Sequence, residues 1–274
     1  MQRIGILINR MKEGAATMAE EIRRYLAEKG ALGLITDGEG EIPDGISCLL
    51  VVGGDGTLLR AAKRVVDRQI PLLGVNLGTL GYLAEVEAGN VRPAIDQLLS
   101  GRYSIEKRMM LEGEIERDGR RVAGDVALND VSIVRCGPLR VLHFRSFVNG
   151  AHLTDYRADG IILSTPTGST GYSLSVGGPI VTPEADLLLL TPIASHTLAS
   201  RSIILRGSDE VTVEIGQGYV VLPAEAEVSF DGNTLLPLMA GDLVNIRRTR
   251  QKTNIIKLSD DSFLEVLRRK MVER

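Results

Sequence analysis

The first hundred residues alternate between short continuous apolar runs and segments in which apolar positions recur at helical spacing. Arg3-Ile4-Gly5-Ile6-Leu7-Ile8-Asn9 is a near-continuous apolar run of strand length, the pattern of a strand covered on both faces. Ala16 to Lys29 puts Met18, Ile22, Tyr25 and Leu26 on one helical face, and Gly30 stands where that helix would stop. Ile46 to Val52 reads as the next buried strand, Leu58 to Val66 as helix and Pro71 to Val75 as strand again. Asn90 is placed to cap a helix running from about Val91 to Ser100. This alternation predicts a Rossmann-like parallel α/β domain over residues 1–100, with helices on both faces of its sheet.

After Gly101 the period shortens. Leu111-Glu112-Gly113-Glu114-Ile115-Glu116 alternates apolar and charged positions, and Asp118-Gly119 follows as a hairpin turn. Further strands are expected at Val126 to Val134, Leu142 to Val148, Ile161 to Ser164, Ser202 to Leu205, Glu210 to Ile215, Glu225 to Phe230 and Leu243 to Arg247. Asn149-Gly150 and Asp231-Gly232 supply turns between them. Residues 101–250 therefore read as an antiparallel β-sandwich domain. Thr253 to Leu258 looks like one more strand and Asp261 to Lys270 returns to helical period, so the tail 251–274 is expected to pack back on the first domain.

Composition narrows the function classes. The chain has 274 residues, 44% of them apolar, enough to bury a core in each of two domains without covalent staples. Lys plus Arg is 32 against 35 Asp plus Glu, a net charge of −3, which argues against nucleic acid as a partner because phosphate backbones require a basic face. Cys48 and Cys136 form no C-x-x-C pair, so neither a disulfide framework nor a zinc site is expected, and the compartment reads as reducing and cytoplasmic. The richest apolar run, Leu187 to Ala194, is interrupted by Thr191 and Pro192 and falls short of the ~18 residues that a membrane span needs. Met1 to Asn9 is too short an apolar stretch for a secretory segment.

Thirty glycines direct attention to the loops. In Val51-Val52-Gly53-Gly54-Asp55-Gly56-Thr57-Leu58-Leu59 a buried strand runs through a glycine turn into a helix. Such turns lie beyond the carboxyl ends of the strands, where open α/β sheets bind ligands, and the helix start favours phosphate. Asp55 there could take a proton from an attacking hydroxyl or help to hold a magnesium ion; a plain turn capped by Asp55 or Thr57 is the alternative. Asn76-Leu77-Gly78-Thr79-Leu80-Gly81-Tyr82-Leu83 resembles a second glycine loop at the same sheet edge, with Tyr82 able to stack on a base or simply to fill the core. Asn129 and Asp130 interrupt an apolar strand, as ribose or adenine ligands would, and as a bulge or turn also would. Tyr156 to Pro179 is rich in glycine and hydroxyl side chains, suited to wrapping a polar ligand or to connecting strands.

At these residues the sequence closely resembles the NAD kinases, which make NADP from NAD. The likeness rests on Gly-Gly-Asp-Gly-Thr at 53–57, Asn-Asp at 129–130, Tyr-Arg-x-Asp-Gly at 156–160, Thr-Pro-Thr-Gly-Ser-Thr at 165–170, Tyr-Ser-Leu-Ser at 172–175 and Gly-Gly-Pro-Ile at 177–180. It spans nearly the whole chain. Two departures stand out: Gly171 where the family usually has Ala, and Asp130 where Glu is commoner. The resemblance implies an active site in a cleft between the two domains and Asp55 as general base toward the 2′-hydroxyl of the adenosine ribose, with Gly56 and Arg60 nearby. It implies that Asn129 and Asp130 hold the NAD ribose or adenine, and that Arg140, Arg157 and Asp159 contact the dinucleotide, Asp159 across a subunit interface. Thr170, Gly171, Tyr172, Ser173, Leu174 and Ser175 would line the NAD pocket, with Ala194 and Asn233 as further contacts. Magnesium with ATP, in some members polyphosphate, and a homodimer or homotetramer complete the expectation.

Two other readings differ in kind. Lipid and sugar-phosphate kinases carry similar Gly-Gly-Asp-Gly strings, but their chemistry gives no reason for the 129–130 pair or the 156–175 segment. A non-catalytic NAD(P) sensor would keep the pocket, yet would gain little from a carboxylate beside phosphates. A metal hydrolase is disfavoured because His143, His152 and His196 lack metal-ligand spacing.

Overall fold

A computed structural model describes residues 1–78, 81–137, 141–196, 201–216 and 226–272. The chain divides into two compact units, Met1–Arg108 with Gln251–Arg274, and Met109–Arg250.

The first unit opens with β1 (Arg3–Ile8), α1 (Ala15–Glu28), β2 (Leu32–Asp37), β3 (Cys48–Gly53), α2 (Asp55–Val65), β4 (Leu72–Asn76), β5 (Val86–Glu87) and α3 (Val91–Leu99). The strands are parallel in the order β4-β3-β1-β2, with Ile4 level with Cys48 on one side and Gly33 on the other. β3 is buried along its length and β1 from Ile4 onward, which is why both read as unbroken apolar runs. Ile22 and Leu26 of α1, with Ile95 and Leu98 of α3, pack on Ile4, Ile6, Leu50 and Val52. Strand β2 escapes the hydrophobic pattern: Gly33 weakens its propensity, and its exposed positions Leu32 and Ile35 place apolar residues on an edge. Asn90 stands before α3 but makes no side-chain cap; a short 3-10 turn, Ala88–Asn90, leads into the helix instead.

The second unit holds β6 (Ser104–Arg117, its first residues in the first unit), β7 (Arg120–Ala127), β8 (Asp130–Arg135), β9 (Leu142–Val148), β10 (Ala151–Ala158) and β11 (Gly160–Ser164). There follow a 3-10 turn at Thr167–Thr170, α4 (Tyr172–Ser175), β12 (Leu187–Ile193), β13 (Ile203–Arg206), β14 (Val211–Ile215), β15 (Ala226–Phe230), β16 (Thr234–Leu238) and β17 (Leu243–Lys257). One antiparallel sheet has the order β13-β12-β11-β8-β15-β16. Across a shared core, Val131, Ile161, Leu163, Leu190, Val228 and Phe230 of that sheet meet Leu111, Phe144, Tyr156, Val213 and Val244 of the strands opposite, which makes the unit a sandwich. Asp118-Gly119 and Asn149-Gly150 turn with both residues at positive φ, as two-residue hairpins require. The expected strand Val126 to Val134 is in fact two: the chain turns at Leu128-Asn129 and pairs anew from Asp130. The apolar run at Leu187 is strand β12, where Pro192 is tolerated because β13 pairs only as far as Leu190.

Leu243 to Arg247 and Thr253 to Leu258, expected as separate strands, are one: the early part of β17 pairs with β14, and Ile255 near its end with Leu72 of β4. The chain closes with α5 (Phe263–Val272).

Candidate active site

In the first unit the strand order reverses direction at β1, so the loops that follow β1 and β3 lie at the topological switch point of the sheet, where open α/β folds bind ligands. Asn9 follows β1 and donates its main-chain N–H to Val52 O, and the loop after it brings the Lys12 ammonium to 3.8 Å from the position a Cβ would take on Gly54. Gly54 is extended, and Asp55 is the first residue of α2. The carboxylate does not cap its own helix, as the simplest reading of the turn would have it. It accepts instead from Tyr82 N at 2.8 Å and Leu83 N at 3.2 Å, so it ties the first glycine turn to the second. Asn76, buried at the end of β4, shapes that second loop by donating to Gly78 O at 2.7 Å. Gly56 and Arg60 are exposed, Arg60 on α2. The arrangement presents main-chain N–H groups at a helix start, one half-buried carboxylate and the Lys12 ammonium; Lys12 carried no motif by which the sequence could single it out.

In the second unit the turn between β7 and β8 is held by a residue that sequence reasoning passed over. Asp231 accepts from the main-chain N–H groups of Leu128 at 2.8 Å, Asn129 at 2.8 Å and Asp130 at 3.1 Å. Its only signal was the hairpin dipeptide Asp231-Gly232. Thr165 docks on the same turn, its N–H donating to Asn129 O at 2.8 Å and its hydroxyl to Leu128 O at 2.7 Å. Gly168 lies so close that a Cβ there would come within 2.1 Å of Asn129 O. At Gly171 a Cβ would sit 3.2 Å from Gly168 O and 3.3 Å from Asn129 Nδ2, so the missing methyl leaves room around the Asn129 amide. Asn129 Oδ1 is buried with no hydrogen-bond partner among the described residues. Asp130 is buried, and burial, then the charge of Asp231, pushes its carboxyl up to about 7. Burial first, and then the charges of Asp130 and Asp159, raises the Tyr172 hydroxyl above its ordinary range.

The other expected residues are spread more widely. Asp159 is half-buried and accepts from Arg135 Nε at 2.7 Å within the same chain, and Arg157 is exposed on β10. Ser173 is fully buried, with its hydroxyl 3.4 Å from that of Thr191, whereas Tyr172 and Ser175 are exposed and Thr170 and Leu174 are partly covered. Ala194 is exposed with φ of 44°, a left-handed conformation unusual for alanine. Asn233 is exposed and donates to Asp231 O at 2.8 Å. Arg140 lies outside the described residues.

Comparison with known proteins joins these two clusters to one family. The sequence model of the ATP-NAD kinase N-terminal domain matches residues 33–103, and that of the ATP-NAD kinase C-terminal domain matches residues 128–258. The chain is similar to the NAD kinase of Agathobacter rectalis, 47% identical over 282 residues that cover 99% of each chain. It is 38% identical over 286 residues to the NAD kinase of Lachnoclostridium phytofermentans, with full coverage of both. Among solved structures, the fold is shared with yeast NADH kinase complexed with NADH, at a TM-score of 0.89 and 23% identity over 99% of this chain and 88% of that one. It is shared also with an NAD kinase from Archaeoglobus fulgidus in complex with ATP, at a TM-score of 0.81 and 20% identity over the whole of both chains. With both units matched and identity sustained from end to end, the chain belongs to the NAD kinase family.

Proposed function

We propose that this protein transfers the γ-phosphate of ATP to the 2′-hydroxyl of the adenosine ribose of NAD, giving NADP and ADP, with the Asp55 carboxylate as general base. The observation that carries the assignment of the base is the placement of Asp55: a half-buried carboxylate at the first position of α2, beside a glycine turn, at the switch point of the sheet. A ribose hydroxyl is a poor nucleophile at neutral pH. Phosphoryl transfer to it depends on alignment and on neutralising the charge of the phosphates, with the base removing the proton as the new P–O bond forms. The turn's N–H groups and the Lys12 ammonium suit the phosphates. Asn129, Asp130 and Tyr172 suit the NAD side: a buried amide acceptor, a buried carboxyl and an exposed aromatic ring. Arg60, Arg140, Arg157, Asp159, Gly171, Ala194 and Asn233 belong to the same reading as further contacts.

Among the described residues no group of three or more His, Cys, Asp and Glu side chains is arranged as a metal cage. Mg²⁺ needs no such cage, because it keeps several waters and is held by substrate phosphates with only one or two carboxylates. Asp55 is the carboxylate at the turn that could contribute, and the ion would supply charge neutralisation to the transferred phosphoryl group. No described helix is long and apolar enough to cross a membrane, and the reading extends to a cytoplasmic homodimer or homotetramer. The test is direct. Purified protein is incubated with NAD, Mg²⁺ and either ATP or polyphosphate, and NADP is measured. Asp55→Asn is expected to retain NAD binding while losing at least about 10²-fold in kcat; near-normal turnover in that variant would sink the general-base role.

A further inference from the structure

The geometry points to Gly81 as a positioning residue for Asp55: we propose that its bare Cα, together with the N–H groups of Tyr82 and Leu83, forms a seat that fixes the carboxylate for proton abstraction. This rests on the reading of Asp55 as the base. An aspartate opening a helix has several staggered rotamers available, and the commonest way to restrain it is a bond to its own first turn. Asp55 is restrained differently. Tyr82 N donates to Oδ2 at 2.8 Å and Leu83 N to Oδ1 at 3.2 Å, so the oxygens are held separately by residues 27 and 28 positions further along the chain. Two bonds to two oxygens fix the plane of the carboxylate as well as its position.

Contact this close demands an absent side chain. A Cβ on Gly81 would stand 1.9 Å from Asp55 Oδ1, with Cγ and Oδ2 both at 2.3 Å. By contrast a Cβ on Gly89, eight residues on, would meet nothing within 4 Å. A carboxylate offers about four acceptor sites, and the two N–H groups use one on each oxygen. One site on either oxygen therefore stays available for a hydroxyl proton. The seat orients the base without consuming it. When the ribose hydroxyl attacks, its proton passes to Asp55, its oxygen bonds to the γ-phosphorus, and the bond from phosphorus to the leaving ADP oxygen breaks.

An alanine methyl at position 81 has to drive the carboxylate back by roughly 1 Å before contact becomes tolerable, and a misplacement of about that size can cost ~10²-fold in rate. The experiment compares Gly81→Ala with the control Gly89→Ala in steady-state assays on NAD and ATP. Gly81→Ala is expected to lower kcat by about 10²-fold with both KM values within about threefold of the parent, whereas Gly89→Ala stays within about threefold in every constant. In an Asp55→Ala background the same Gly81→Ala change should leave the residual turnover unaltered, because no carboxylate remains to displace. It should also be better tolerated in thermal unfolding there than in the parent. A parent-like kcat for Gly81→Ala, or an equal fall in turnover with and without Asp55, overturns the proposal. Should Gly81→Ala fail to fold, the double variant Asp55→Ala/Gly81→Ala decides. Recovery of cooperative unfolding supports the seat, and a double variant as unstable as the single one overturns it. Failure of the base reading itself shows elsewhere, as near-normal turnover of Asp55→Asn with Gly81 intact.

Discussion

Substitution of Asp231 by Asn probes the anchor of the substrate-side turn with little change of shape. The residue sits at φ of 55°, which Asn tolerates as well as Asp does, so the hairpin backbone is preserved. Asp231 Oδ1 serves the N–H groups of Asn129 and Asp130, and Oδ2 serves that of Leu128. An amide can keep its carbonyl oxygen on the first pair, but its NH₂ then faces the Leu128 donor. One donor lacks a partner, at ~1–3 kcal/mol, and the remaining two bonds lose the charge of their acceptor, so the sum comes to about 3 kcal/mol. For a unit of this size that lowers the thermal midpoint by roughly 6–12 °C. Charge adds a direction. Above pH 7 Asp130 is ionised and repelled by Asp231, so the substitution also relieves repulsion there; at pH 5 Asp130 is protonated and no relief offsets the loss. The midpoint should therefore fall further at pH 5 than at pH 8. Thermal unfolding followed by circular dichroism at both pH values measures this. A midpoint within 1 or 2 °C of the parent at pH 5, on the same scale, refutes the reasoning, as does a larger loss at pH 8.

Asp130 itself carries a pH signature: its folded-state value near 7 stands above the ordinary 3.8, so the stability it permits is complete below about pH 4 and is lost as pH rises toward 7. Asp130→Asn should flatten that decline and raise stability at pH 8 by on the order of 4 kcal/mol, read from urea unfolding at pH 4, 6 and 8; an unchanged slope contradicts it. Lys12→Ala removes a cation beside Gly54 and should raise KM for ATP about three- to tenfold, with KM for NAD unchanged and the difference shrinking in high salt. Equal effects on both substrates would place Lys12 elsewhere in the reaction.

What the hydrophobic pattern made legible were elements whose burial is uniform. Strands β1, β3 and β4 are covered on both faces, and α1 and α3 each bury one stripe, so local order alone announces them. Strand β2, exposed at Leu32 and Ile35, announces itself by neither a run nor an alternation. The break at Leu128-Asn129 was illegible for a different reason: the three donors that make it a turn are met by Asp231, 101 to 103 residues away. The site divides in the same way. Asp55 stood out because a carboxylate among glycines needs a reason, and Asn129 and Asp130 because polar side chains interrupt an apolar run. Gly81 did not, because nothing local links it to Asp55. Only the folded loops reveal that its missing side chain is space for another residue's carboxylate. Resemblance to a family supplied roles for single residues, and it is silent on what restrains them.

The long strand β17 bears on how the chain is made. Its final residues complete the first unit: Ile255 aligns with Leu72, Ile256 enters the core with Ile4 and Leu50, and Glu85 receives Lys257 as well as the N–H groups of Leu258 and Ser259. The intervening Met109–Arg250 forms a compact unit of its own and is synthesised before those final residues. At 5–20 residues per second, β4 waits on the order of 10–40 s between its own synthesis and the arrival of Ile255. During that interval part of one β4 edge is unpaired and Glu85 is without its cation, so the N-terminal unit, although first to be translated, is the last to be completed. A nascent chain halted before residue 251 is therefore the species most exposed to wrong strand pairing and to capture by chaperones.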